Sequence, residues 1–303
     1  MTAKPKIGIA LGGGGARGWA HIGVLQALEK IGIEINIIAG TSIGAIAGGC
    51  YAADELDELQ NFATQLTPRK VLGFMDLNLA GTSLITGRRI CGALENHLKH
   101  HRIEQLKRSF IAVATEMNTG HEVWMDKGQL VDAMRASYAL PGIFSPVNVN
   151  GRWLFDGAMV NPVPVSVCRA FGADIVIAVN LNSDVFGKGT IVPSHEAKEI
   201  NSEQNGQEPP VSNSHLGKLR TQIFGNGNGA PGLSSVMLDA FNITQDRIAR
   251  ARLAGDPPDI SIVPRVSNIG LFDFHRAEDL IEAGTEATLR AIEDLEHHLS
   301  HAA

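Results

Sequence analysis

The first 53 residues constrain the fold more tightly than any other stretch. A short apolar run at 6–11 (KIGIAL) leads into four consecutive glycines. Val24, Leu25 and Leu28 then follow at helical spacing, and a second apolar run begins at Ile35. Runs this short, bounded by glycine, read as buried strands rather than helices. Gly32 is placed to end the intervening helix. Strand, glycine turn, helix, strand is a βαβ unit, whose two strands lie parallel in one sheet because the connection crosses over. If those strands are neighbours, the glycine turn and the residues after the second strand meet at the same sheet edge.

Residues 35–53 contain no charged side chain, about the length needed to span a membrane. Gly40, Gly44, Gly48 and Gly49, together with Asn36, Thr41 and Ser42, make the stretch too polar and too glycine-rich for that. It reads instead as a strand at 35–39, a turn GTSIG and a buried helix. Ser42 lies between Gly40 and Gly44 in a G-x-S-x-G pattern, in the strand–turn–helix setting that a nucleophile elbow requires. The helix N-terminus there favours a developing alkoxide. A plainer role, in which Ser42 caps the helix, fits the same residues.

GGGARG at Gly13 to Gly18 satisfies G-x-G-x-x-G between a strand and a helix. A dinucleotide site needs an acidic residue at the far end of the second strand, but Glu34 stands before that strand. A P-loop needs Lys and a hydroxyl after its glycines, and Arg17-Gly18-Trp19 supplies neither. Successive N–H groups at Gly13, Gly14 and Gly15 form a positively polarised concavity that suits a phosphate or the oxyanion of acyl transfer. A nucleotide-binding or regulatory protein using this loop therefore stays as an alternative to a hydrolase.

Further along, helices are expected at 56–66 and 88–99, strands at 110–116 and 122–125, and a hairpin of 147–149 with 152–155 around Asn150-Gly151. Asp156 ends that hairpin. Residues 174–181 are apolar on both faces, as in a parallel sheet. Residues 182–232 turn to Gly, Asn, Ser, Pro and Gln and read as a flexible lid interrupting one domain. A helix at 234–253, a strand at 259–263 and a helix at 277–299 complete the chain.

At 303 residues and 44% hydrophobic, the chain supports a large core. Its net charge of -6 argues against nucleic acid and against a generic anionic lipid surface, so lipid contact must be mainly apolar. Cys50, Cys91 and Cys168 are odd in number and widely spaced, which fits a reducing cytosol and no disulfide framework. The N-terminus lacks the apolar core of a signal peptide. His97 and His101 have zinc spacing but no third ligand in view, and His21 reads as packing beneath the glycine turn.

GGGGARGWAHIGVL, GTSIGA, SYALPGIFSPV and DGAMVNPVPV, in that order over residues 6–181, resemble the patatin-like phospholipases. The likeness is to bacterial single-domain members related to the catalytic part of neuropathy target esterase. The resemblance implies a three-layer α/β/α sandwich with a mainly parallel central sheet. It also implies a Ser–Asp dyad without histidine, with Ser42 as nucleophile and Asp156 as base. Gly13, Gly14 and Gly15 carry over as the oxyanion hole, with Arg17 and Gly18 supporting the loop and Gly40 and Gly44 shaping the elbow. No metal or cofactor is implied. The implied partner is a lipid ester, cleaved as by a lysophospholipase, phospholipase A or carboxylesterase, and the expected location is cytoplasmic with transient contact to a membrane surface. The chain departs from the family in having Asp156-Gly157-Ala158 where many members have DGG, and in the polar insertion after Leu181. Were a histidine triad used instead, its base would come from His195, His215, His275, His297, His298 or His301, none well placed by sequence.

Overall fold

A computed structural model describes residues 4–74, 96–183 and 233–302. Most of the helix expected at 88–99, and residues 184–232 of the expected lid, lie outside them. The chain divides into two compact units, one of residues 1–185 with 245–303 and one of residues 186–244. Every strand among the described residues belongs to the first.

Strand β1 (Ile7–Leu11) is followed by a 3-10 turn (Gly15–Trp19), helix α1 (Ala20–Lys30) and strand β2 (Ile37–Thr41). Helices α2 (Ile43–Ala52), α3 (Leu56–Thr64) and α4 (Pro68–Phe74) come next. Strands β3 (Ser109–Glu116) and β4 (Glu122–Met125), helix α5 (Leu130–Ser137), and the hairpin of β5 (Val147–Val149) with β6 (Arg152–Asp156) form the middle of the chain. Helix α6 (Val165–Ala170), strand β7 (Ile175–Val179), helix α7 (Leu233–Gly255), strand β8 (Ile260–Ile262) and helices α8 (Ala277–Arg290) and α9 (Ile292–Ala302) complete it.

The sheet is mainly parallel. β1 lies between β2 and β7, β3 continues beyond β2 and β8 beyond β7, all in parallel, while β4, β5 and β6 add antiparallel pairings. The chain lays β2 and β3 on one side of β1 and returns to place β7 on the other. Such a reversal opens a crevice beyond the carboxyl ends of the strands. Along each central strand the side chains alternate between two cores. Ile7, Ile9 and Leu11 join Ile38, Phe110 and Ile177 beneath α1, α2 and α8. Ala10 joins Ala39, Val113, Val176 and Ala178 against Val165, Val167 and Cys168 of α6 and Ala249 of α7. Helices therefore cover both faces, giving the three-layer architecture. Leu25 of α1 has no exposed surface, so Leu25→Ala should cost about 3 kcal/mol in urea denaturation. The exposed Lys30→Ala at the end of the same helix should stay within about 0.5 kcal/mol.

Of the boundaries that differ from the sequence reading, two change the architecture. β2 runs over Ile37–Thr41 rather than 35–39. Asn36 closes the strand entrance by accepting the Ile7 N–H at 2.8 Å, and β3 pairs with Gly40 and Thr41, which carries the strand right up to Ser42. The single helix expected at 277–299 is two helices, separated at Ala291, whose N–H bonds the Thr288 carbonyl three residues back. The uncharged window thus ends as strand, elbow and buried α2. Among the described residues no helix is long and apolar enough to cross a membrane.

Candidate active site

β3 brings the two chemical groups together. Ala112 and Val113 pair with β2 and with β4, and Ala114 and Thr115 pair with β4 and with β6. Since a strand has two edges, β2 and β6 share the edge opposite β4. β2 ends at Thr41 beside Val113, the chain turns away at Ser42, and β6 fills the vacated edge with Asp156 beside Ala114. The carboxyl ends of the two strands meet head to head.

Ser42 adopts φ 57°, ψ -125°, a region that residues with a side chain rarely occupy. The turn is tight enough that a Cβ on Gly40 would lie 2.6 Å from Ala45 Cα, and one on Gly44 would strike the Leu11 carbonyl. The Ser42 N–H donates to Ser137 Oγ at 2.9 Å, and that hydroxyl donates to the Val113 carbonyl at 2.6 Å, tying the elbow to β3. The Ser42 hydroxyl makes no cap bond to the helix it precedes. It donates instead to Asp156 Oδ2 at 2.7 Å, so the capping reading fails.

Asp156 is held from every side. Its N–H donates to the Ala139 carbonyl at 3.0 Å, its carbonyl accepts from Thr115 Oγ1 at 2.9 Å, and its Oδ1 accepts the Ala158 N–H at 2.9 Å. Gly157 passes close over β3, where a Cβ would meet the Val113 carbonyl. Ser42 retains 9% of its surface and Asp156 only 1%, so the serine is the more accessible of the two and the carboxylate is almost wholly removed from solvent. Burial pushes the Asp156 carboxyl up to about 7, against the opposing pull of the Ser42 hydroxyl and the Ala158 N–H.

That shift predicts a stability signature. The folded carboxyl holds its proton more tightly than the unfolded one. Its contribution is therefore complete below the unfolded value of 3.8 and is lost as pH rises through about 7. The loss should reach on the order of 4 kcal/mol. Asp156→Asn removes the titration, so its denaturation midpoint should overtake that of the wild type as pH rises from 4 to 8. Parallel curves across that range would mean an unshifted carboxyl.

The glycine turn sits against the elbow. A Cβ on Gly13 would lie 3.5 Å from Ser42 Cβ and 3.4 Å from Ala158 Cβ, and one on Gly18 would strike Ile43. The three expected donors are not equivalent. The Gly13 N–H donates to the Pro162 carbonyl at 3.0 Å, whereas neither the Gly14 nor the Gly15 N–H has an acceptor among the described residues. Arg17, 5% exposed, braces the turn through neutral partners, with Nε donating to the Ile269 carbonyl at 2.8 Å and Nη1 to Asn182 Oδ1 at 3.3 Å. Burial lowers its pKa and Asp273 raises it. His21, fully buried, bonds the Gly12 carbonyl through Nε2 at 2.8 Å, and burial pushes it down to about 4, so it is neutral.

Sequence reasoning missed Asn182, placed there at the start of a mobile insertion. It is 3% exposed, and its Nδ2 donates to the Gly13 carbonyl at 3.3 Å and to Gln245 Oε1 at 3.0 Å. Its only sequence signal is its place directly after a parallel strand, at the carboxyl edge where sites gather. Gln245, deep in α7, carried no signal. Among the triad candidates, His195 and His215 lie outside the described residues, and the His297 and His298 rings meet edge to face with centroids 5.9 Å apart. Among the described residues no group of three or more His, Cys, Asp or Glu could hold a metal ion.

The model of the patatin-like phospholipase family matches residues 9–169, from β1 to α6, and so includes both Ser42 and Asp156. An uncharacterized NTE family protein of Mycobacterium bovis is 33% identical over 337 residues, covering 97% of this chain and 93% of that protein. Lysophospholipase NTE1 of Kluyveromyces lactis is 28% identical over 283 residues, which span 92% of this chain and 18% of that protein. The crystal structure of VipD from Legionella pneumophila covers 96% of this chain and 67% of its own, with a TM-score of 0.50 at 14% identity, a likeness of fold alone. With the family model spanning over half the chain and a relative this similar along nearly its whole length, the chain belongs to the patatin-like phospholipase family of lipid acyl hydrolases.

Proposed function

We propose that the protein cleaves carboxylic ester bonds of lipids by a Ser42–Asp156 dyad, as a lysophospholipase, phospholipase A or carboxylesterase. The observation that carries the reading is the 2.7 Å bond from Ser42 Oγ to a buried carboxylate, made by a serine in strained backbone at a helix start. The name of the Kluyveromyces lactis relative supports a lysophospholipid among the substrates.

As Ser42 Oγ attacks the ester carbonyl, its proton passes to Asp156 Oδ2 and the carbonyl electron pair moves onto oxygen. In this reading the Gly14 and Gly15 N–H groups, which have no acceptor among the described residues, donate to that oxyanion. Collapse expels the alkoxide, which takes the proton from Asp156 and leaves as the alcohol. Water then attacks the acyl-serine with Asp156 again as base, Asp156 returns that proton to Ser42 Oγ as the acyl–oxygen bond breaks, and the fatty acid leaves. Ester and water alone balance the cycle. A carboxyl held near 7 is a far better base toward an alcohol than one at 3.8, which is what burial contributes.

Fluorophosphonate labelling with a panel of lysophospholipid, diacyl phospholipid and short-chain esters tests the reading. The wild type should be labelled and should turn over at least one class, and Ser42→Ala should do neither while keeping its circular dichroism spectrum. A wild type that is labelled but turns over nothing indicates a regulatory protein. One that is not labelled removes Ser42 as nucleophile.

A further inference from the structure

The glycine turn offers fewer donors than its sequence promises, since the Gly13 N–H is bound to Pro162. The space beside Gly13 is occupied by another donor. The point where a Gly13 Cβ would sit is 3.5 Å from Gln245 Nε2 and 3.5 Å from Ser42 Cβ. Gln245 is 2% exposed, so its amide is held rather than mobile.

The orientation of that amide is dictated by a chain of hydrogen bonds. A guanidinium can only donate and a carbonyl can only accept. Asn182 therefore turns Oδ1 to Arg17 Nη1 and Nδ2 to the Gly13 carbonyl, and these two contacts independently fix the same rotamer. The same Nδ2 also faces Gln245, which must present Oε1 to it. Nε2 is left on the side of Gly13 and Ser42. Arg17, whose sequence role was only to brace the loop, thus sets the polarity of a side chain in the site through Asn182.

We propose that Gln245 is a catalytic residue whose Nε2–H donates to the oxyanion formed at Ser42, beside the Gly14 and Gly15 N–H groups. Arg17 and Asn182 are positioning residues that keep the donor end of the amide toward the serine. The inference rests on the dyad reading. During attack the ester oxygen gains negative charge and Nε2–H bonds it more strongly than in the ground state, so the effect falls on kcat. No proton is transferred by the glutamine.

Gln245→Met keeps the length and removes the donor. Its kcat on a short-chain ester should fall on the order of 100-fold with KM within about 3-fold, and fluorophosphonate inactivation should slow in parallel. Gln245→Glu, which sets an anion against the oxyanion, should fall further. Asn182→Asp retains a partner for Arg17 but replaces the Nδ2 donor with an acceptor, which draws Nε2 away from the serine. It should match Gln245→Met, and the double variant should be within about 3-fold of either single one, because both remove the same bond. An active wild type whose Gln245→Met variant retains kcat, or loses only KM, overturns this proposal alone, as do fully additive losses. If Gln245→Met does not fold, the Gln245→Glu and Asn182→Asp rates decide by the same criteria. A wild type that is neither labelled nor active removes the dyad reading and this one with it.

Discussion

Asp156→Asn should lower kcat/KM by on the order of 10⁴-fold on every accepted ester, with Ser42 still in place. An amide cannot take the serine proton, and its orientation makes matters worse. The Ala158 N–H that now bonds Oδ1 at 2.9 Å requires an acceptor there, so Nδ2 would face Ser42 and turn the hydroxyl into an acceptor. The wild-type pH profile gives the second readout. A base must be unprotonated, so with its carboxyl near 7 the acid limb of kcat/KM should fall about tenfold per pH unit below 7. Ordinarily a limb in that range points to histidine and an aspartate limb lies near 3.9. Here burial moves the aspartate into the histidine range, so the mutant rate identifies the base and the limb measures its environment. A variant within tenfold of wild type ends the dyad reading, and a limb near pH 4 means a solvated carboxylate.

Gly44→Ala is expected to prevent stable folding, with a cost of about 4 kcal/mol or more in any fraction that can be measured by urea denaturation. The added Cβ points at the Leu11 carbonyl group and lies 2.8 Å from the Gly12 carbonyl oxygen. Both are backbone atoms at the end of β1, the strand paired on both sides at the centre of the sheet. They cannot yield as a flexible side chain would. Gly32→Ala is the control: its Cβ meets nothing within 4 Å, and only the φ of 80° opposes it, at roughly 1–2 kcal/mol. Equal losses in the two variants would show that backbone conformation rather than close approach governs the elbow.

The opening βαβ unit, the elbow and the Asn150-Gly151 hairpin were legible because their causes are local. Glycine punctuation, apolar spacing and turn chemistry act over a few residues, and Asn150 and Gly151 take the positive φ values of 52° and 83° that such a turn requires. Asp156 could be placed at a strand end for the same reason. Its pairing with Ser42, 114 positions away, entered only through the family resemblance. No periodicity shows that β2 and β6 share one edge of β3, since that depends on strand pairing across the whole sheet. The surplus positions were likewise invisible. Gly13 resembles its glycine neighbours in sequence, yet its N–H is taken by Pro162 on a distant loop. Asn182 sits in a polar run that reads as insertion, and Gln245 in an ordinary helix.

The sequence by itself determined the α/β class, the elbow carrying Ser42 and the glycine turn beside it, because short-range sterics and hydrophobic patterning specify each of them. Only the tertiary structure decided the rest: which N–H group of the turn is taken by Pro162, which way the Asn182 and Gln245 amides point, and how far Asp156 is lifted toward 7. A hydrogen bond is settled by whichever group arrives opposite it, and a pKa by how much water is excluded. Both depend on segments brought together from across the chain.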